Sequence, residues 1–208
     1  MVLRRIGLDV LAVCALCTSP LAVSAQDLVD LPVPVVEISA GYAVMRDTTG
    51  DEQYPAGWYF SGGWNLNQLF GLVAEAGGSY RSQDLSYSPA GIELSDKRRV
   101  YTFLAGPRFF HRTGRLVPFV QVLAGLAQRE IDQREVRVGN SAPSTVSYWR
   151  PSYNYFAVQP GGGLTVYLTE RVGVRVAGDY RCIVDENNDD VRNEYRFLTG
   201  FTFHWGNR

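Results

Sequence analysis

The residues that could do chemistry in this 208-residue chain are few. His111 and His204 are its two histidines. Side chains two residues apart share a strand face, so a serine two positions after a histidine would lie beside it and could work with it in hydrolysis. His111 is followed by Arg112-Thr113 and His204 by Trp205-Gly206, so neither supplies it. Solvated or salt-bridged imidazoles are the simpler reading, and no catalytic residue is assigned. The run Asp185-Glu-Asn-Asn-Asp-Asp190 has the spaced oxygen donors of a cation loop from Asp185 to Asp189. It lacks the turn glycine and the distal glutamate, so a solvated loop is expected and no metal or cofactor is called for. Six charged residues form the remaining set: Glu37, Glu75 and Asp179 with Arg108, Arg175 and Arg196. Their chemistry is mutual neutralisation across an interior, where a lone charge could not be held.

Those six must be positioned by strands. From position 35 onward, segments of about ten residues alternate apolar and polar side chains, the length that crosses a bilayer as a tilted strand. Eight such segments are joined alternately by short and long connections. The short ones fall near residues 66–69, 112–115 and 169–171; the long polar ones span 47–55, 82–97, 130–152 and 182–193. On the seventh strand Val172, Val174, Val176, Gly178 and Tyr180 share one face, and Gly173, Arg175, Ala177, Asp179 and Arg181 the other. The eighth sets Tyr195, Phe197, Thr199, Phe201, Phe203 and Trp205 against Arg196, Leu198, Gly200, Thr202 and His204.

The apolar-face aromatics fall into two bands. Tyr42, Trp58, Phe60, Tyr80, Tyr101, Phe103, Phe156, Tyr180, Tyr195 and Phe197 make one; Trp64, Phe70, Phe109, Phe203 and Trp205 the other. Smaller residues such as Ala40, Gly62, Ala74 and Ala105 lie between. A soluble core would place its largest side chains in the middle, whereas two bands suit the two interfaces of a bilayer. The strand over residues 116–128 has no outward aromatic. Eight strands leave an interior that side chains can fill, so a plugged barrel is expected. Gly63, Gly77, Gly161, Gly163 and Gly173 are expected to make room for arginines. Pro107, Pro118 and Pro160 oppose a closed ladder, and Pro160, before three glycines, reads as a bulge.

The N-terminus carries Arg4 and Arg5, an apolar run broken by Asp9, and Val23-Ser24-Ala25 before Gln26. That is an export signal over residues 1–25, followed by a lead segment over 26–34 and the barrel over 35–205. Cys14 and Cys17 leave with the signal, so Cys182 stands alone and forms no internal disulfide. A formal charge of −1, with Lys97 the one lysine, leaves no footprint for nucleic acid.

Tyr101-Thr-Phe-Leu-Ala-Gly-Pro-Arg108-Phe, Leu116-Val-Pro-Phe-Val-Gln-Val-Leu-Ala-Gly125 and Gly161-Gly-Gly-Leu-Thr-Val-Tyr167 resemble segments of the small outer-membrane β-barrels, the OmpA/OmpX-like barrel domains. The resemblance implies an eight-stranded antiparallel up-and-down transmembrane barrel. It also implies an outer-membrane location, contact with membrane lipids and lipopolysaccharide, and insertion by the barrel assembly machinery. A non-enzymatic role follows, structural or in surface contact through four external loops. The chain departs from the family in ending Trp205-Gly206-Asn207-Arg208 instead of on an aromatic. Two alternatives stay open: a lipid A-modifying barrel enzyme, and a lipocalin-like binder suggested by Gly62-Gly63-Trp64, which would need an apolar lumen.

Overall fold

The computed structural model describes residues 34–87, 92–112, 114–137, 145–185 and 190–207. The expected signal over 1–25 and the lead segment up to residue 33 lie outside them, as do residues 186–189 of the acidic run. Every regular element among the described residues is a strand. They are β1 (Pro34–Asp47), β2 (Glu52–Tyr54), β3 (Ala56–Asn65), β4 (Phe70–Tyr87), β5 (Ile92–Phe110), β6 (Leu116–Arg137), β7 (Thr145–Trp149), β8 (Ser152–Tyr167), β9 (Val172–Asp185) and β10 (Asp190–Asn207). β2 and β3 make one stave broken at Pro55, and β7 and β8 another broken at Arg150-Pro151, so the wall has eight staves. Each pairs antiparallel with the next. β1 then closes on β10 from Pro34↔Asn207 to Asp47↔Glu194, which removes the edge that an open sheet would leave.

Local chemistry sets the short turns. Asn67 Oδ1 accepts the Leu69 and Phe70 amides, both at 2.8 Å, and Thr169 Oγ1 accepts those of Arg171 and Val172 at 3.3 and 3.1 Å. Such side chains complete a turn that the backbone alone would leave unsatisfied. In the third turn Gly114 takes φ +69°, a conformation other residues resist. These three turns and the ends of β1 and β10 gather at one end of the barrel, the turn end.

The prolines are absorbed without a bulge at Pro160. The β8–β9 ladder runs to Val158↔Cys182, skips a step, and resumes at Gly161↔Asp179 in the same register. On its other side Pro160 pairs with Val122 in an unbroken ladder. The missing N–H therefore costs one side of one strand. Pro107 behaves alike: β4–β5 runs through it, and β5–β6 skips from Ala105↔Ala124 to Arg108↔Gln121. The bulge sits instead at Pro55. β1 meets β3 at Tyr42↔Trp58 and β2 at Met45↔Tyr54, so the β2–β3 stave carries one extra residue. That restores Tyr54 to the buried face.

A second difference concerns length. Residues 82–97 and 130–152 read as loops because both faces turn polar there. The β4–β5 ladder nevertheless continues to Tyr87↔Ile92, β5–β6 to Ile92↔Arg137, and β7 adds to β6 from Gln133↔Trp149 to Arg137↔Thr145. A spanning strand needs ~9–11 residues, and β4, β5 and β6 have 18, 19 and 22. Their surplus stands beyond the rim as a four-stranded sheet without the continuous apolar face of the wall, because it has no lipid to meet.

Candidate functional site

The lumen is built from alternate residues of each stave, and it is charged. Among the described residues the buried carboxylates are Glu37, Asp47, Glu75, Asp179 and Glu194, and the buried guanidiniums are Arg108, Arg129, Arg175, Arg181 and Arg196. They are equal in number and stacked in layers. Nearest the turn end, Glu37 accepts Arg108 Nη1 at 3.1 Å and is paired also by Arg175 Nη2. Arg175 Nη1 donates to Ser39 at 2.9 Å and its Nε to Thr165 at 3.0 Å. Both guanidiniums lie over the Phe119 ring, 4.8 and 4.7 Å from its centre, a favourable seat for a cation. In the middle layer Arg196 pairs with Glu75 and with Asp179, the latter at 2.7 Å, while Gln159 Nε2 donates to Glu75 at 3.3 Å. In the loop-end layer Glu194 accepts Arg181 at 3.0 Å and Arg129 at 3.4 Å, and Arg129 reaches Asp47 at 2.8 Å.

Six residues singled out by sequence thus sit in two of these layers: Glu37 with Arg108 and Arg175, Glu75 and Asp179 with Arg196. Asp47, Arg129 and Glu194 were missed because the strands were ended too early. Carrying the alternation on would have found them, since Asp47 shares parity with Glu37, Arg129 with Gln121, and Glu194 with Arg196. The glycines serve less uniformly than expected. A Cβ at Gly161 would strike the Asp179 carboxylate and one at Gly77 would crowd Arg196, whereas Gly163 abuts β9 backbone and Gly173 the Tyr167 ring. The rest of the lumen is filled by apolar clusters, one around Tyr59, Phe110, Phe119 and Tyr167, another around Val73, Leu104, Leu123 and Ile183.

Outside, the polarity is reversed. Trp64, Leu72, Phe103, Phe109, Val120, Val122, Leu126, Val176, Phe201 and Trp205 are exposed around the wall. The aromatic bands are joined across strands: Phe70 with Phe109 at 5.2 Å at the turn end, Tyr180 with Tyr195 at 5.0 Å and Tyr80 with Tyr101 at 6.0 Å at the loop end. Trp58 Nε1 donates to the Tyr80 hydroxyl at 2.9 Å. Phe70 to Tyr80 on β4, Tyr101 to Phe109 on β5 and Tyr195 to Phe203 on β10 measure the distance between the bands, one bilayer-spanning length each. Apolar outside, charged inside, ringed twice by aromatics: this is a barrel made for lipid.

No family model and no curated protein matches the sequence. Solved structures do. The attachment invasion locus protein of Yersinia pestis, in complex with the heparin analogue sucrose octasulfate, superposes with a TM-score of 0.50 at 17% identity, over 81% of this chain and 97% of that one. The fold is that of the small outer-membrane β-barrels. The outer membrane protein OprG of Pseudomonas aeruginosa (TM-score 0.48, 12% identity, 85% and 98% covered) and Neisserial surface protein A (0.47, 13%, 82% and 96%) are further matches.

Beyond the loop-end aromatics the small-barrel frame carries its four-stranded sheet. Arg98 pairs with Glu52 and, at 2.9 Å, with Asp96; Arg81 lies 3.4 Å from Glu52. Burial pushes the Asp96 carboxyl above its ordinary value, against the pull of Arg81 and of the Gln133 amide. Val146, Tyr148, Trp149 and Arg150 are all exposed on β7 and just after it, with Arg150 set over the Tyr148 ring at 5.5 Å. His111 is exposed at a turn, His204 is buried in the lumen, and Cys182 lies within the β9 ladder instead of a loop. Among the described residues no cluster of His, Cys, Asp and Glu could hold a metal ion.

Proposed function

We propose that this chain is an integral outer-membrane protein without enzymatic activity, in which the barrel is an anchor and the loop-end sheet is the surface that meets a partner. The observation that carries the reading is the reversed polarity: ten buried charges in the lumen among the described residues, and an apolar, aromatic-ringed exterior. A water-soluble barrel has no use for that arrangement. On this reading residues 1–25 direct export, the barrel assembly machinery inserts the strands, and lipopolysaccharide surrounds the loop-end band. Glu37, Glu75, Arg108, Arg175, Asp179 and Arg196 then serve as a neutral plug that holds the staves together and closes the lumen.

The sheet offers backbone as well as side chains. β3 pairs with β4 only as far as Tyr80, and among the described residues β7 is paired only with β6. Both outer edges can take an extended segment as an added strand. β7 carries no acidic or basic residue within Thr145–Trp149, so it lacks the charge by which exposed edges are ordinarily blunted. The heparin analogue held by the Yersinia protein makes a sulfated glycan the competitor to test, with Arg134 and Arg150 exposed beside this edge.

Membrane fractionation combined with heat-modifiable gel mobility tests the anchor: the protein is expected in outer membranes, migrating faster unheated. Recovery as a soluble monomer would overturn the reading. In planar bilayers the plugged lumen is expected to pass almost no current, and stable porin-like conductance would show the plug to be open.

A further inference from the structure

We propose that the turn-end mouth of the barrel is a binding site for a single oxyanion, a carboxylate or a phosphate, held between Arg112 and His204. Arg112 comes just after β5, and its guanidinium folds back over the buried Phe110 ring at 4.2 Å. Its Nε and Nη2 lie on one edge of the guanidinium, the fork that takes two oxygens of a carboxylate or phosphate at once. Both nitrogens are buried and have no hydrogen-bond partner among the described residues. His204, 6% exposed, stacks on Tyr167 at 4.7 Å, and its Nε2 is likewise buried and unpartnered. Arg112 hydrogen-bonds Tyr167 through the part of its guanidinium outside this fork and acts electrostatically on Glu37 and His204, so the donors share one neighbourhood.

Charge points the same way. The five buried guanidiniums are matched by five carboxylates, and Arg112 is an additional cation turned toward that mouth. There Arg108 and Arg175 already share Glu37, whose second oxygen accepts the Tyr167 hydroxyl at 3.2 Å. No carboxylate pairs with Arg112 among the described residues. Buried donors left without acceptors are costly, and half-buried Arg112 sits where a counter-charge is screened less than in bulk water. One oxyanion supplies two acceptors to the fork, a third to the imidazole, and the missing negative charge.

Two sources carry this chemistry. One is free phosphate entering from the turn side. The other is the chain itself: Asp27 and Asp30 precede Pro34, where β1 begins at this same mouth. Asp30 lies within ~13 Å of chain from Pro34 at ~3.3 Å per residue, enough to reach across the opening of a small barrel.

The exported chain, purified from membranes with its lead segment and labelled with 15N-histidine, reports on the site through the His204 resonance, with exposed His111 as the internal control. If the site takes free oxyanion, inorganic phosphate shifts His204 saturably, and Arg112→Lys, which keeps the charge and loses the fork, weakens the response at least tenfold. If the chain's own carboxylate occupies it, the wild type does not respond and the Asp27→Asn/Asp30→Asn variant does. Arg112→Gln serves should the Lys variant lose heat-modifiable mobility. No saturable shift in either background overturns the proposal, as does a response that the Arg112 substitutions leave unchanged.

Discussion

Arg108 and Glu37 in the lumen, and Arg150 and Asp132 on the loop-end sheet, make ion pairs of the same length, 3.1 Å. The first pair is 3% and 2% exposed, the second 66% and 31%. Distance alone would rate them equal. Below the loop-end aromatics, however, charge is out of water and each group depends on its partner, so loss of one strands the other. Above them water screens both, and the pair contributes ~0–1 kcal/mol. The apolar residues divide at the same ring: Val122 is 50% exposed and Tyr148 59%, yet lipid is the medium for one and water for the other. Exposure thus has two meanings in one molecule.

The largest effect expected from breaking this contrast is at Arg196, which holds two carboxylates from one guanidinium. Arg196→Met leaves Glu75 and Asp179 buried and unpaired, and is expected to cost ~3–5 kcal/mol, read as a lower urea midpoint for unfolding in lipid vesicles. Arg150→Met is expected to change that midpoint by no more than ~1 kcal/mol. Equal shifts for the two would mean that the lumen is wet. The second contrast concerns the exterior. Val122→Arg, midway between the aromatic bands, is expected to cost ~2–4 kcal/mol in a bilayer, whereas Tyr148→Arg stays within ~0.5 kcal/mol. A neutral Val122→Arg would remove the lipid from the argument.

How far the sequence could be read follows the same division. Face was legible: alternation with a period of two assigns Glu75, Arg175, Asp179 and Arg196 to one side of the wall without knowledge of any neighbour. Height and register were not, because they depend on how far each stave slides past the next. Arg196 and Glu75, 121 positions apart, meet across the lumen only through that stagger. The bulge was misplaced for a related reason. Pro160 before three glycines looks disruptive, but a proline removes one donor on one side, and β8 simply skips a ladder step. Pro55 forces the extra residue because Tyr54 must still reach the buried face. The sheet beyond the rim was read as loop because its strands lose the apolar face. That loss reports a change of solvent, not an end of hydrogen bonding.

A smaller effect belongs to the turn end. Asn67→Ala removes an acceptor from the Leu69 and Phe70 amides, and is expected to cost ~0.5–1.5 kcal/mol by the same urea measurement. Both amides can turn to water, so the loss stays well below that at Arg196. A cost as large would mean that turn closure, more than the lumen, holds the staves in register.

The smallest perturbation sharpens the comparison by asking which side each end faces. In a Cys182→Ser background, Ser147→Cys on β7 and Glu170→Cys in a short turn are both exposed and each is expected to stay within ~0.5 kcal/mol of the parent. Outer-membrane barrels insert from the periplasm, keep their short turns on that side and carry their long connections outside. A membrane-impermeant maleimide is therefore expected to label Ser147→Cys on intact cells, and Glu170→Cys only after the outer membrane is opened. The reverse pattern would put the sheet in the periplasm, where no surface partner can reach β7, and would turn the Arg112 mouth toward the medium. The layered ion pairs would survive that inversion, since their burial does not depend on which end faces the cell. The surface role would not.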